Sequence, residues 1–242
     1  RSDQGDWDLF GCRPDGSQRR NLTATPGHNE FSPQFSRDGR KLLYRRLPRN
    51  ETIEGNRYGE QGELVIADGD GTEPQVFGKA GEYSWASWSP DGKQIACLSI
   101  KGITWVDLSS RQVLRAMDRK GFFQQLTWSP DGQRLAFTSS RGTSWDIQVI
   151  GATGSSMARL TSGGRNWFPA WSPRGDKIAF ISDRDGTPQV WTMNTDGSAP
   201  VRLSDFPAGA EHPSWSPDGE WLVCVAATGE GDGVNARELY LL

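Results

Sequence analysis

Trp171-Ser-Pro-Arg-Gly-Asp-Lys-Ile-Ala-Phe-Ile-Ser-Asp-Arg-Asp-Gly-Thr-Pro-Gln-Val-Trp-Thr-Met-Asn-Thr-Asp-Gly-Ser-Ala-Pro-Val-Arg-Leu203 is the stretch that decides the fold. Its first five residues make a turn, because proline presets φ near −65° and glycine takes the positive φ that ends it. The tryptophan before the turn and Lys177-Ile-Ala-Phe-Ile181 after it form a hairpin, strands A and B. Gln189-Val-Trp-Thr-Met193 is strand C. Asn194-Thr-Asp-Gly-Ser198 then turns the chain into strand D, near Val201-Arg-Leu203.

The unit recurs. Phe35-Ser-Arg-Asp-Gly39, Trp88-Ser-Pro-Asp-Gly92, Trp128-Ser-Pro-Asp-Gly132 and Trp215-Ser-Pro-Asp-Gly219 repeat the turn, the five aromatics being 53, 40, 43 and 44 residues apart. Each turn is followed by an apolar run, such as Gln94-Ile-Ala-Cys-Leu98 or Trp221-Leu-Val-Cys-Val225. Four short antiparallel strands per unit of about forty residues make one propeller blade. A blade cannot bury both faces alone, so it stacks on its neighbours. A helical solenoid needs long runs of period 3.6, and none is present. The reading is an all-β β-propeller of four-stranded antiparallel blades, one domain over residues 1–242, complete or part of a longer protein.

Composition agrees. With 35% hydrophobic residues and a mean hydropathy of −0.64, the chain has no run of about 18 apolar residues to insert in a membrane. Lys and Arg number 27 against 30 Asp and Glu, so no basic field draws it to nucleic acid. Cys97 and Cys224 sit in apolar runs and read as small buried hydrophobes. With Cys12 they are odd in number and irregular in spacing, which argues against a disulfide framework or a zinc site.

The phrase Trp-Ser-Pro-Asp-Gly, the apolar strand, Ser182-Asp-Arg-Asp-Gly186, Val190-Trp191, Asp196-Gly-Ser198 and Arg202-Leu203 resembles the TolB-type repeat. It covers nearly the whole chain. The resemblance implies a binding propeller with a protein or peptide partner, in the periplasm or secreted. A start at Arg1 rather than Met reads as a processed or trimmed product. Similar repeats occur in the propellers of oligopeptidase-like peptidases and in oligogalacturonate lyases. The family's usual six blades are favoured for the intact protein, and five are the alternative. Ser2 to Thr23 aligns only with the second half of a blade, and Glu238-Leu-Tyr-Leu-Leu242 reads as a strand C with no strand D.

The A-to-B turns are nearly identical, while the opposite ends of the repeats differ. Two insertions fall there, from about Leu47 to Gly62 and from Ala227 to Ala236. Long loops on a rigid frame often carry function. The stretch from Arg45 to Glu60 mixes both signs of charge and reads as a solvated loop or a lip touching a partner. The D-to-A links on the same side supply candidate partner-binding residues: Phe31, Tyr83, Trp85, Phe123, Gln125, Trp167, Phe168, Glu211 and His212. Trp and Tyr are favoured anchors at binding surfaces. Packing between blades is the competing role for each aromatic.

Chemistry is sparse. There is no Gly-x-Ser-x-Gly elbow, phosphate loop or Cys-x-x-Cys pair. His28 and His212 are the two histidines; with Glu30 and Glu211 they are the residues from which a small metal site or acid–base pair would be built. Oligogalacturonate lyases use a His-rich metal site, for which this chain has too few histidines. The reading is therefore a non-catalytic binding scaffold with no cofactor, a lyase or hydrolase funnel being the alternative. Asn21-Leu-Thr23 and Asn50-Glu-Thr52 match the N-glycosylation pattern, which matters in a eukaryotic secretory setting alone.

Overall fold

The computed structural model describes residues 7–13, 15–49, 62–99, 102–118, 122–227 and 237–242, with backbone alone at 118, 122, 123, 141, 227 and 237. The rest of both long insertions, Asn50-Glu-Thr52 and Ser2 to Gly5 lie outside these residues. The chain divides into two compact units, Arg1–Leu114 and Arg115–Leu242. Among the described residues all regular structure is β, and no helix is long and apolar enough to cross a membrane.

In the first unit, β1 (Phe10–Gly11) and β2 (Arg20–Asn21) make an antiparallel pair, the half-blade read from the sequence. β3 (His28–Phe35), β4 (Lys41–Pro48), β5 (Glu63–Asp68) and β6 (Gln75–Phe77) form a four-stranded sheet in chain order. β7 (Trp85–Trp88), β8 (Gln94–Ser99), β9 (Gly102–Asp107) and β10 (Val113–Asp118) form the next, β10 running past the division. The second unit repeats the pattern with β11 (Phe122–Trp128), β12 (Arg134–Arg141), β13 (Ser144–Gly151) and β14 (Ala158–Arg159). β15 (Asn166–Trp171), β16 (Lys177–Ser182), β17 (Gln189–Asn194) and β18 (Val201–Arg202) follow. β19 (Ala210–Trp215), β20 (Leu222–Ala227) and β21 (Arg237–Leu241) make the expected three-stranded end.

The turn between first and second strands holds itself. Ser89 Oγ donates to Asp91 at 2.6 Å and accepts the Gln94 N–H at 3.0 Å. Ser36, Ser129 and Ser216 do the same with Asp38, Asp131 and Asp218. The serine bond holds all four carboxyls below the ordinary value. The remaining copy has Arg174 in place of the aspartate. It reaches forward to the next turn instead, bonding the Asp218 carbonyl at 2.7 Å and Glu220 at 2.9 Å.

The second strands read as unbroken apolar runs because both their faces are covered. In β16, Ile178 and Phe180 pack with Trp171, Ile147 and Met193, whereas Ala179 and Ile181 pack with Leu222 and Cys224. In β4, Leu43 joins Trp88 and Ile95, whereas Leu42 and Tyr44 face Leu9 and Leu22 of the N-terminal pair. Cys97 and Cys224 are buried as expected. The aromatics ahead of the turns tie sheet to sheet: Trp88 Nε1 donates to the Gln34 carbonyl at 3.1 Å, and Trp215 Nε1 to that of Ala170 at 3.0 Å. Both acceptors stand just before the aromatic of the preceding sheet.

Two readings are corrected. The first strands begin earlier than the aromatic, so most residues assigned to D-to-A links are paired strand residues: Phe31 with Arg45, Phe123 with Ser139, Trp167 with Ile181, Glu211 with Val225. The register shifts just after each of these segments, as a β-bulge, so the alternation that marks a strand is broken there. The same longer pairing carries β4 to Pro48, so Arg45 to Pro48 is strand and not the start of a loop.

The N-terminal pair is fastened to β3 by polar contacts. Glu30 N–H donates to the Trp7 carbonyl at 2.6 Å and Trp7 N–H to Asn29 Oδ1 at 3.0 Å. Thr23 Oγ1 accepts the Leu9 N–H at 2.9 Å and donates to Glu30 Oε2 at 3.3 Å. Glu30 is 2% exposed and its Oε1 has no hydrogen-bond partner among the described residues. Burial pushes this carboxyl up to about 7, against the help of Thr25 and Thr23. A raised carboxyl favours folding while protonated, so its contribution is present below the unfolded value and lost as pH rises through 7. Urea unfolding of wild type and Glu30→Gln at pH 5 and pH 8 checks this. Wild type should lose up to ~3 kcal/mol relative to the variant across that interval. Parallel pH dependences would contradict it.

Candidate functional site

The bulges place the site. In β11, β15 and β19 the residue three positions before the blade aromatic has positive φ without being glycine: Gln125 at 55°, Phe168 at 54° and His212 at 54°. A side chain in this region is strained, most for a bulky one. The three form a row. Gln125 Oε1 accepts the Phe168 N–H at 2.7 Å, and also the Thr138 hydroxyl at 2.9 Å. The Phe168 and His212 rings stand 4.0 Å apart, tilted by 51°. His212 is exposed; Gln125, Phe168 and Glu211 are half-buried.

Beside the row lies an aromatic pair. Trp167 and Trp145 meet edge to face at 6.2 Å, both half-buried, with the Arg165 guanidinium 5.9 Å from the Trp167 ring. Asp183 fixes that arginine, accepting from its N–H and its Nε at 2.6 Å each. Beneath them Asn166 is fully buried. Its amide donates to the carbonyls of Trp145 and Gly163 and accepts from Arg184 Nη2 at 3.0 Å. Gly164 lets the loop close: it has φ 66°, and a Cβ there would stand 2.8 Å from the Arg184 Cα. Trp145, Arg165 and Asp183 are not among the residues expected from sequence. In sequence Asp183 falls inside the repeat phrase Ser182-Asp-Arg-Asp-Gly186, and Trp145 falls in none of the D-to-A links that supply the candidates.

In the first unit the expected residues separate. Phe31 is half-buried under the Arg45 guanidinium, 5.0 Å from its centroid. Tyr83 is 7% exposed and belongs to the core with Phe77, Leu64 and Trp88, so its ring offers no binding surface; burial pushes its phenol above the ordinary range. Trp85 opens β7, half-buried, its Nε1 inside without a hydrogen-bond partner among the described residues. His28 Nδ1 lies 3.2 Å from the Pro26 carbonyl, while Glu30 faces Thr23. The side chain of Phe123 lies outside the described residues. Among the described residues no three His, Cys, Asp or Glu side chains gather as a metal-holding group.

Asn166 should act as the support of the aromatic pair. Asn166→Ala removes the buried amide that joins the Trp145 and Gly163 carbonyls to Arg184 Nη2, a cost of roughly 1–3 kcal/mol in chemical unfolding, with a shift in tryptophan emission. A neutral effect on both would show that the loops hold without it.

The TolB beta propeller domain model matches residues 49–240. A structure from Agrobacterium tumefaciens assigned as TolB is similar, with TM-score 0.72 and 25% identity over 93% of this chain and 80% of that one. TolB from Acinetobacter baumannii gives TM-score 0.65 at 19% identity, over 89% of this chain and 66% of that one. An oligogalacturonate lyase in complex with manganese gives TM-score 0.68 at 17% identity, over 98% and 68%; these two likenesses speak for the fold alone. No curated protein matches. With the repeat, the antiparallel sheets and a family match across most of its length, this chain belongs to the TolB beta-propeller domain family.

Proposed function

We propose that the chain is a non-catalytic, protein- or peptide-binding propeller. Its working surface is the sheet ends opposite the serine–aspartate turns. The observation that carries this is the row Gln125, Phe168 and His212. The strained conformation recurs at one repeat position, in these three and in Ser32 of β3, with His212 exposed and Phe168 half open. Each costs of order 1 kcal/mol or more for a residue other than glycine. An exposed ring returns little of that to the core. Strain kept at a repeated place, where a bulge re-aims the side chain, marks a site selected for what it presents. Trp145 and Trp167 add two rigid, amphipathic rings of the kind that anchor interfaces. The family resemblance supports a protein partner and a periplasmic or secreted setting.

A displayed random-peptide selection on the wild-type chain supplies a ligand whatever the natural partner is. Trp167→Ala and Trp145→Ala should each weaken the selected peptide at least tenfold, a loss of about 1.4 kcal/mol, and leave the melting temperature within a few degrees. A large fall in melting temperature with unchanged affinity would make these rings core residues and sink the proposal.

A further inference from the structure

Arg45 is out of keeping with its strand. Its neighbour Arg46 shows a satisfied guanidinium: Nε and Nη2 both donate to Glu63 Oε2, at 2.9 and 2.6 Å. Arg45 points to the other face of β4 and is 4% exposed, yet its Nε and Nη2 are buried with no hydrogen-bond partner among the described residues. On one side lies the Phe31 ring, held opposite by strand pairing. On the other lies Gly62, where a Cβ would stand 2.7 Å from Nη2 and 3.0 Å from Leu47. Among the described residues the slot is thus bounded by a ring, a bare backbone and a leucine, and burial is the cause that sets the charge of Arg45. Burial lowers it to about 10, which leaves it charged at neutral pH.

We propose that Arg45 is a receptor for a single carboxylate brought by a peptide or protein. Nε and Nη2 share one edge of the planar guanidinium, and that edge presents two parallel N–H groups at the spacing of carboxylate oxygens. A buried charge without a counter-ion is costly, and a bound anion removes that cost. One cation balances one negative charge, which favours a carboxylate over a doubly charged phosphate. The stacked Phe31 fixes the plane of the fork, and the bulge after Phe31 ends the pairing that positions it. This inference stands on the first unit alone, apart from the row around Phe168.

The test is thermal unfolding of the full chain in sodium acetate against sodium chloride at equal ionic strength. Two tripeptides separate the sources: acetyl-Gly-Gly-Gly with a free C-terminus, and acetyl-Gly-Asp-Gly-amide with a side-chain carboxylate. Acetyl-Gly-Gly-Gly-amide is the control. A ligand that binds the folded state alone raises the melting temperature saturably. Wild type should rise by about 1–3 °C with acetate and with at least one acidic peptide. Arg45→Met should not respond, and should melt at or above wild type, since it fills the slot without a charge. Arg45→Lys should keep a weaker response. An equal rise in Arg45→Met, or no rise in wild type up to about 100 mM, would overturn the proposal. So would Arg45→Met melting more than about 5 °C below wild type, which would make the guanidinium a satisfied structural group.

Discussion

One extra residue, three positions ahead of the blade aromatic, divides a first strand into two registers. It does so in β3, β11, β15 and β19. Below the insertion lie the aromatic and its turn, whose work is cohesion. At Trp88 and Trp215 the indole N–H donates to the preceding sheet, and the second strand β16 buries both its faces. Above it, the strand is paired again but its side chains have been turned. Ser32, Gln125, Phe168 and His212 occupy the inserted place with φ of 54–55°. The remaining copy, β7, pairs without a shift and places Trp85 there. Nothing in the structure explains why this copy dispenses with the bulge.

The cost of four strained residues is small beside the burial that surrounds them. A fully buried Phe180 or Ile181 contributes about 1.5–3 kcal/mol each by removal from water. A scaffold with many such residues tolerates several local strains: besides these four, Gln18, Glu73, Arg111, Ser156 and Ala199 hold positive φ in the turns that lead into β2, β6, β10, β14 and β18. One end of the sheets is held by repeated serine–aspartate bonds. The two ends therefore differ in physical kind: one is held by its own turn bonds, the other carries the inserted residues and the Trp145–Trp167 pair.

The order of strands is legible in the chain because proline, aspartate and glycine dictate turns, and because unbroken apolar runs betray strands covered on both faces. The N-terminal half-sheet and the three-stranded C-terminal end follow from the same alignment of repeats. The bulges are not legible. Ser32, Gln125, Phe168 and His212 share no residue type, and none is the glycine that announces a positive φ. Pattern reading therefore ends the first strands at the aromatic and pushes real strand residues into links. Tyr83 reads as surface because it neighbours Trp85, although its ring completes the core against Phe77. Arg45 is hidden for the converse reason: a charged residue at the head of a charged stretch reads as solvated, whereas contacts with Phe31 and Gly62, distant in sequence, bury it.

The central claim is that the inserted residues are kept for the side chains they present, not for the fold. His212 is the cleanest place to test it, being exposed and in the left-handed region. The unfolding free energy of His212→Gly is the measurement. Glycine adopts this φ without strain, so relief offsets the lost ring contact with Phe168, worth about 0.5–1.5 kcal/mol. Stability should stay within about 1 kcal/mol of wild type. A loss beyond about 2 kcal/mol would show that the histidine holds the sheets together, and would contradict the account.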